Sequence, residues 1–294
     1  MEIVETFREA RALRRGTVGF VPTLGFVHEG HLSLIERAAL DNDMVLVSLF
    51  VNPLQFGPGE DFDAYPRQLE RDAALISEAG AKVLFSPSLS EMYPEPALTQ
   101  VEVPELAIHL DGVERPDHFR GVATIVTKFL AGLQPSRAYF GRKDGQQLAI
   151  IQRLVFDLSL PVEIEGCPTV READGLALSS RNAYLSNVDK AEALALSSGL
   201  MAAADLAEAG ERRAAALIEA VRDTALDTEF SYVTLMDRRT VHPLEVLTED
   251  AFLAVAARVG PARLIDNIHI DVAGDAIKVD RGVRLDRPSV LYAT

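Results

Sequence analysis

The run Met44–Val51, MVLVSLFV, constrains the fold more than any other stretch. It carries no charge, so it suits a strand covered on both faces, as in a parallel sheet. From Thr17 to about Cys167 strand-like and helix-like stretches alternate around it. Val18, Phe20 and Val21 suit a buried strand that Pro22 ends. Leu32, Leu34, Ile35, Ala38 and Ala39 make the apolar face of a helix starting near Gly30. Pro66–Ala79 reads as a helix, Lys82–Phe85 as a short strand, Gly121–Leu133 as a helix and Arg137–Phe140 as a strand. Asp144–Leu158 follows as a helix with Leu148, Ile151, Leu154 and Val155 on one face, and Val162–Ile164 closes the series. Such alternation implies an α/β fold, a Rossmann-like doubly wound parallel sheet that binds ligands at the carboxyl ends of its strands.

Beyond Val170 the pattern changes. Asp189–Asp227 is Ala-rich and helical, whereas Phe230–Met236, Ala251–Ala257 and Ile268–Val272 look like strands. Without regular alternation this part predicts a smaller C-terminal α+β domain. The expected division is residues 1–170 and 171–294, with a linker near Val170–Asp174.

The 294 residues carry a net charge of −15 and show no basic stripe, which argues against gripping nucleic acid. An acidic chain that binds anions must gather its cations locally, so clusters of Arg, Lys and His matter. The single Cys167 excludes an internal disulfide and reads as a small buried apolar residue. Met1 is followed by Glu2, Glu5 and several arginines rather than a secretory signal, and no apolar run reaches the roughly 20 residues of a membrane span. The expected compartment is cytoplasmic, with no membrane partner.

Val18–His31 leads from a strand through a glycine loop to a helix start that carries His28 and His31. Unpaired backbone N–H groups and the helix dipole there suit an anion, and the histidines add donors. A zinc site is the alternative, but helical zinc ligands sit four apart and these sit three apart with Gly30 between them. A nucleoside triphosphate is favoured.

Four further segments fall where strand-end loops belong. Asn52–Phe56 offers Gln55 to a small polar substrate, although Asn-Pro turn chemistry alone would explain it. Arg115–Gly121 reads as an anion site with His118 restrained by Asp117, or as a solvated charged loop. In Phe140–Gln147 the chain turns at Gly141, Asp144 caps a helix, Lys143 suits a phosphate and Gln147 faces the same cleft; capping plus a surface lysine is the other reading. Asp174–Asn182 offers Ser179, Ser180 and Arg181 to close over phosphates, or serves as a polar linker.

Taken together these segments resemble the pantothenate synthetase (pantoate–β-alanine ligase) family. The matching stretches are PTLGFVHEGH (22–31), FVNPLQF (50–56), DFDAYPRQLERD (61–72), RPDHFRGVATIVTKF (115–129), FGRKDGQQL (140–148), DGLALSSRN (174–182) and RLIDNI (263–268). His28–His31 is similar to the HIGH-type signature of the wider nucleotidyltransferase superfamily, and LSSRN to its second phosphate loop.

The resemblance implies an ATP- and Mg2+-dependent ligase that makes pantothenate from pantoate and β-alanine through pantoyl adenylate. It implies an N-terminal domain for nucleotide and pantoate, a C-terminal lid and a homodimer. By the same resemblance His28, His31, Lys143, Ser179, Ser180 and Arg181 serve the triphosphate, and Thr23, Leu24, Gly25, Gly141, Asp144, Val170 and Leu178 complete the ATP site. Gln55 and Gln147 would hold pantoate, Asp72 would support the magnesium, and Arg115 with His118 would mark the β-alanine entry.

Some positions depart from the family pattern. Leu24 and Leu178 replace methionine, Phe26-Val27 a smaller pair, Gly145 a tyrosine, and Arg142 an acidic residue or lysine. Another HIGH-type nucleotidyltransferase acting on a small molecule is the alternative, but it has no need of the Gln55 and Gln147 pair.

Overall fold

The computed structural model describes residues 1–60, 62–95, 98–224 and 228–292. Asp61, which opens the 61–72 segment, and residues 225–227, at the end of the expected helical stretch Asp189–Asp227, lie outside them. The chain forms two compact units. The first comprises Met1–Val27, His31–Phe140 and Ile150–Cys167; the second comprises His28–Gly30, Gly141–Ala149 and the chain from Pro168 onward.

The first unit is built on strands β1 (Glu2–Val4), β2 (Val18–Thr23), β3 (Met44–Leu49), β4 (Val83–Phe85), β5 (Arg137–Gly141) and β6 (Glu163–Cys167). They form one sheet in the order β1-β4-β3-β2-β5-β6. The apolar run is its third strand in sequence, paired in parallel with β2 from Val18↔Met44 to Thr23↔Leu49 and with β4 on its other side. Val21, Val47, Leu84 and Tyr139 from the strands meet Ile35 and Ile76 in the core. Cys167 is buried there.

Pro22 lies inside β2 rather than ending it. The Thr23 carbonyl accepts from Phe50 on the β3 side, so the Pro22 nitrogen faces β5, whose register with β2 covers Gly19 and Phe20. A proline interrupts nothing beyond that ladder.

The helices are α1 (Phe7–Ala12), α2 (Glu29–Asp41), α3 (Leu69–Glu78), α4 (Leu89–Met92), α5 (Asp111–Glu114), α6 (His118–Leu133) and α7 (Gly145–Asp157). The third begins after the expected Pro66, because Gln68 is non-helical at φ −129°, ψ 66°.

In the second unit β7 (Val170–Arg171) precedes α8 (Asn187–Glu208) and α9 (Ala214–Thr224). Then come β8 (Phe230–Asp237), β9 (Ala251–Val259), β10 (Ala262–Ala273), β11 (Ala276–Asp280) and β12 (Val283–Arg284). Strands β8 to β11 form an antiparallel sheet, and β12 pairs in parallel with β7. The expected α/β domain and smaller α+β domain are therefore both present.

The Ala-rich stretch is helical as expected, and Gly210 at φ +100° turns the chain between its two helices. The helices pack so closely that a Cβ at Gly199 would sit 2.8 Å from the Val221 carbonyl oxygen. The stretch Val170–Asp174, expected as the linker, is tied into the fold. Its Arg171 is 1% exposed and paired with Asp266 at 2.6 and 3.1 Å.

Candidate active site

In the first unit, β2 runs into the loop Thr23–Val27. Gly25 has φ +99° and Phe26 φ +52°, a left-handed pair. The phenylalanine conformation costs about 1–2 kcal/mol. Asp72, fully buried on α3, stabilises it: one carboxylate oxygen accepts the Phe26 N–H at 2.7 Å and the other the Val27 N–H at 2.9 Å. Charge-assisted bonds of this kind are worth about 1.5–3 kcal/mol each, enough to hold the strained turn. Arg71 donates to Asp72 at 3.0 Å and to the Val27 carbonyl at 3.1 Å, and lies 5.3 Å over the Phe26 ring. The aromatic departure at position 26 thus gives Arg71 a surface to cover. The Gly25 N–H donates to Thr23 Oγ1 at 3.0 Å, while Leu24 is half-buried.

Gln55 ends the 3-10 turn Pro53–Gln55 after β3, and Asn52 does the turn chemistry. Its Oδ1 accepts the Leu54 N–H at 3.2 Å, and its Nδ2 donates to Gln55 Oε1 at 3.3 Å and to the Gly121 carbonyl at 3.1 Å. A Cβ at Gly121 would stand 2.1 Å from the Leu54 carbonyl oxygen, so α6 approaches this turn only through a glycine.

Arg115 and His118 gather on the Gln55 backbone. Arg115 grips Glu60 at 2.6 and 2.7 Å and reaches the Gln55 carbonyl at 3.3 Å. His118 Nδ1 lies 2.9 Å from the same oxygen; a carbonyl only accepts, so this nitrogen carries the proton. Burial, then neighbouring Arg115, pushes the His118 pKa down to about 4. Asp117 does not restrain His118; it pairs with Arg120 at 2.7 Å.

The second unit holds the other group. His28 Nδ1 accepts the Gly30 N–H at 3.1 Å, so the neutral ring carries its proton on Nε2. A Cβ at Gly30 would sit 2.8 Å from His28 Cε1, which explains the glycine between the histidines. His31, which belongs to the first unit, is half-buried in the first turn of α2.

Lys143 lies in the 3-10 turn Arg142–Asp144 between β5 and α7, with Nζ 3.5 Å from Asp144 Oδ1. Strand β10 holds this turn. Asn267 Nδ2 donates to the Lys143 carbonyl at 2.6 Å, and His269 Nε2 to the Arg142 carbonyl at 3.1 Å. Arg142 itself reaches Asp280 at 2.7 Å. At Gly141 a Cβ would meet nothing within 4 Å, and Gln147 is half-buried in the first turn of α7.

The chain Val170–Asn182 is a tight turn at Gly175, φ +108°, then a 3-10 turn Ser180–Tyr184 capped by Ser179, whose hydroxyl accepts the Arg181 N–H at 3.3 Å. The Leu178 N–H donates to the Val170 carbonyl at 2.9 Å, and both side chains are buried. Ser179, Ser180 and Arg181 remain half-buried. Among the described residues, no group of three or more His, Cys, Asp or Glu is placed to hold a metal ion.

The sequence profile of the family Pantoate-beta-alanine ligase matches residues 1–269. The chain belongs to the pantoate–β-alanine ligase family. A pantothenate synthetase from Heliobacterium modesticaldum is 49% identical over 281 residues, 92% of this chain and 100% of that one. The crystal structure of pantothenate synthetase from Thermus thermophilus superposes with a TM-score of 0.87 at 48% identity, covering 91% of this chain and 98% of that one. A pantoate-beta-alanine ligase from Francisella tularensis, complexed with beta-gamma ATP and beta-alanine, gives a TM-score of 0.73 at 35% identity over 91% of this chain and 97% of that one.

Membership of the pantoate–β-alanine ligase family makes the chain a ligase, and the structure gives its departures physical reasons. At Gly145 a Cβ would lie 3.3 Å from Asn267 Nδ2 and from Phe252, and 3.5 Å from His269. Phe252 and His269, stacked at 5.8 Å, fill the space a larger residue at 145 would need. The RLIDNI segment (263–268) has its task in holding the Arg142–Asp144 turn through Asn267. The signal was there in Asp266, Asn267 and His269, polar residues interrupting an otherwise apolar strand.

Proposed function

We propose that the chain condenses pantoate with β-alanine in two steps at the expense of ATP. A pantoate carboxylate oxygen attacks the α-phosphorus and pyrophosphate leaves, giving pantoyl adenylate. The β-alanine amine, having lost a proton, then attacks the acyl carbon; AMP leaves and pantothenate remains. The first step brings an anion onto an anion, so its transition state needs fixed donors and in-line placement more than a protein nucleophile.

His28 through Nε2, His31, Lys143, Ser179, Ser180 and Arg181 supply those donors. Thr23, Leu24, Gly25, Gly141, Asp144, Val170 and Leu178 complete the ATP site, and Gln55 with Gln147 holds pantoate. Arg115 and His118 mark the β-alanine entry and act through the Gln55 carbonyl that both contact. The observation that carries the reading is the turn Arg142–Asp144, whose carbonyls are fixed by two side chains of β10 so that Lys143 is presented from a set backbone.

Mg2+ would enter on the triphosphate, screening its charge, as is usual for nucleotide-bound magnesium. Asp72 does not fit as a direct ligand, because both its oxygens already serve Phe26, Val27 and Arg71. Its support is to the loop. Residues 1–170 form the nucleotide- and pantoate-binding domain and 171–294 the lid, in a cytoplasmic homodimer. Among the described residues no helix is long and apolar enough to cross a membrane.

The test is pantoate-dependent exchange of labelled pyrophosphate into ATP, followed by AMP release with each substrate omitted in turn. Exchange is expected with ATP and pantoate alone, and AMP turnover only when β-alanine is added. A strict need for β-alanine in the exchange would overturn the stepwise reading.

A further inference from the structure

The family profile ends at residue 269, and the Heliobacterium relative is covered in full by 92% of this chain. The residues that follow form a path of their own. Strand β12 pairs with β7, with the Val283 N–H on the Thr169 carbonyl at 2.8 Å and the Leu285 N–H on that of Arg171 at 2.9 Å. The chain then reaches the 3-10 turn Val290–Tyr292.

At its start, Ser289 Oγ donates to one oxygen of Glu29, and the Val290 N–H donates to the other at 2.7 Å. Both side chains are buried, Ser289 at 5% exposure and Glu29 at 7%. At its end, the Tyr292 hydroxyl donates to Glu172 Oε1, which also accepts Asn182 Nδ2 at 3.2 Å. Lys190 Nζ lies 3.5 Å over the Tyr292 ring. The C-terminal segment therefore grips the residue next to His28 and, through Glu172, the loop of Ser179–Arg181.

We propose that Ser289–Tyr292 is a positioning strap for nucleotide binding, fixing the His28–Gly30 turn through Glu29 and the serine–arginine loop through Glu172. The inference rests on the reading that these two segments bind the triphosphate of ATP. The physical reason lies in Glu29. A buried carboxylate needs donors, and one beside bound phosphates adds repulsion unless its charge is engaged. Two donors from the strap hold both oxygens. Ser289 and Tyr292 touch no reacting atom in this scheme, so they are positioning residues.

The test uses the full chain and its variants Ser289→Ala, Ser289→Thr and Tyr292→Phe. Its readouts are the Kd for a fluorescent ATP analogue, KM for ATP and for pantoate in pyrophosphate exchange, and the melting temperature. Ser289→Ala is expected to weaken nucleotide affinity about fivefold or more, the equivalent of roughly 1 kcal/mol. It should leave the pantoate KM within about twofold, since that change is under roughly 0.5 kcal/mol. Ser289→Thr, which keeps the hydroxyl, should restore affinity, and Tyr292→Phe should repeat the nucleotide effect on its own.

Unchanged nucleotide affinity in Ser289→Ala overturns the strap. So does a uniform change of Kd, both KM values and melting temperature that threonine does not rescue, which would mark a purely structural role. A parent that binds the analogue but shows no pantoate-dependent exchange counts against the proposed reaction, and the Kd ratio then still decides the strap. A parent that binds no nucleotide overturns both.

Discussion

At the scale of single residues, Asp72 shows how a motif residue can carry a structural task that its segment does not announce. An aspartate in a matched segment suggests a cation, but this one accepts the backbone N–H groups of left-handed Phe26 and of Val27 after it. Asp72→Asn keeps the size while removing the charge and turning half of the acceptor pair into a donor. One of the N–H groups of Phe26 and Val27 then faces an amide instead of an oxygen. An unsatisfied buried donor costs about 1–3 kcal/mol, so urea denaturation should show a loss of that order with magnesium absent. Pyrophosphate exchange should fall as the loop loosens. A variant as stable as the parent in magnesium-free buffer, and weakened only when the metal is present, would return Asp72 to the role of metal ligand.

Among the elements, legibility followed how much of the signal was local. The third strand was visible because burial on both faces leaves a continuous apolar run. Strands β1, β7 and β12 span three, two and two residues and are defined by distant partners, so no window of sequence contains them. The site divides in the same way. His28, Lys143, Arg181 and Gln55 could be picked out because their motifs are contiguous. The contacts that hold them were not, since Asn267 reaches Lys143 across 124 residues and Val290 reaches Glu29 across 261.

The start of α7 offers the sharpest test at this scale. Gly145→Tyr introduces a ring where Phe252, Asn267 and His269 already stand. Overpacking of this kind costs about 1–3 kcal/mol, and it displaces the two side chains that fix the Lys143 backbone. The variant is expected to lose stability and to bind ATP more weakly, read by thermal melting and by KM. Tighter ATP binding with unchanged melting would show that Phe252 and His269 leave room for a side chain here.

At the scale of the whole molecule, His118 in the first unit and His269 in the second are held neutral beside proposed substrate residues. His118 faces Arg115, Asp111 and Glu60; His269 faces Arg142, Arg238 and Asp280. Burial is the leading cause in both, and each pKa is pushed from 6.5 down to about 4. Between those values the unfolded chain binds protons that the folded chain refuses. The contribution to stability is therefore complete above pH 6.5 and is lost as the pH falls toward 4. In mid-window each histidine contributes a slope of about 1.4 kcal/mol per pH unit.

Carboxylates also titrate at low pH, so the comparison must isolate the rings. His118→Asn keeps a donor for the Gln55 carbonyl and His269→Gln one for the Arg142 carbonyl, and neither titrates. Urea unfolding at pH 7.5 and pH 5 should show each variant losing less stability on acidification than the parent, with the double variant losing least. Equal losses in parent and variants would mean that the histidines are not held neutral in the fold. In that case both rings carry a charge in the fold, and the bonds to the Gln55 and Arg142 carbonyls are made by imidazolium rather than neutral imidazole.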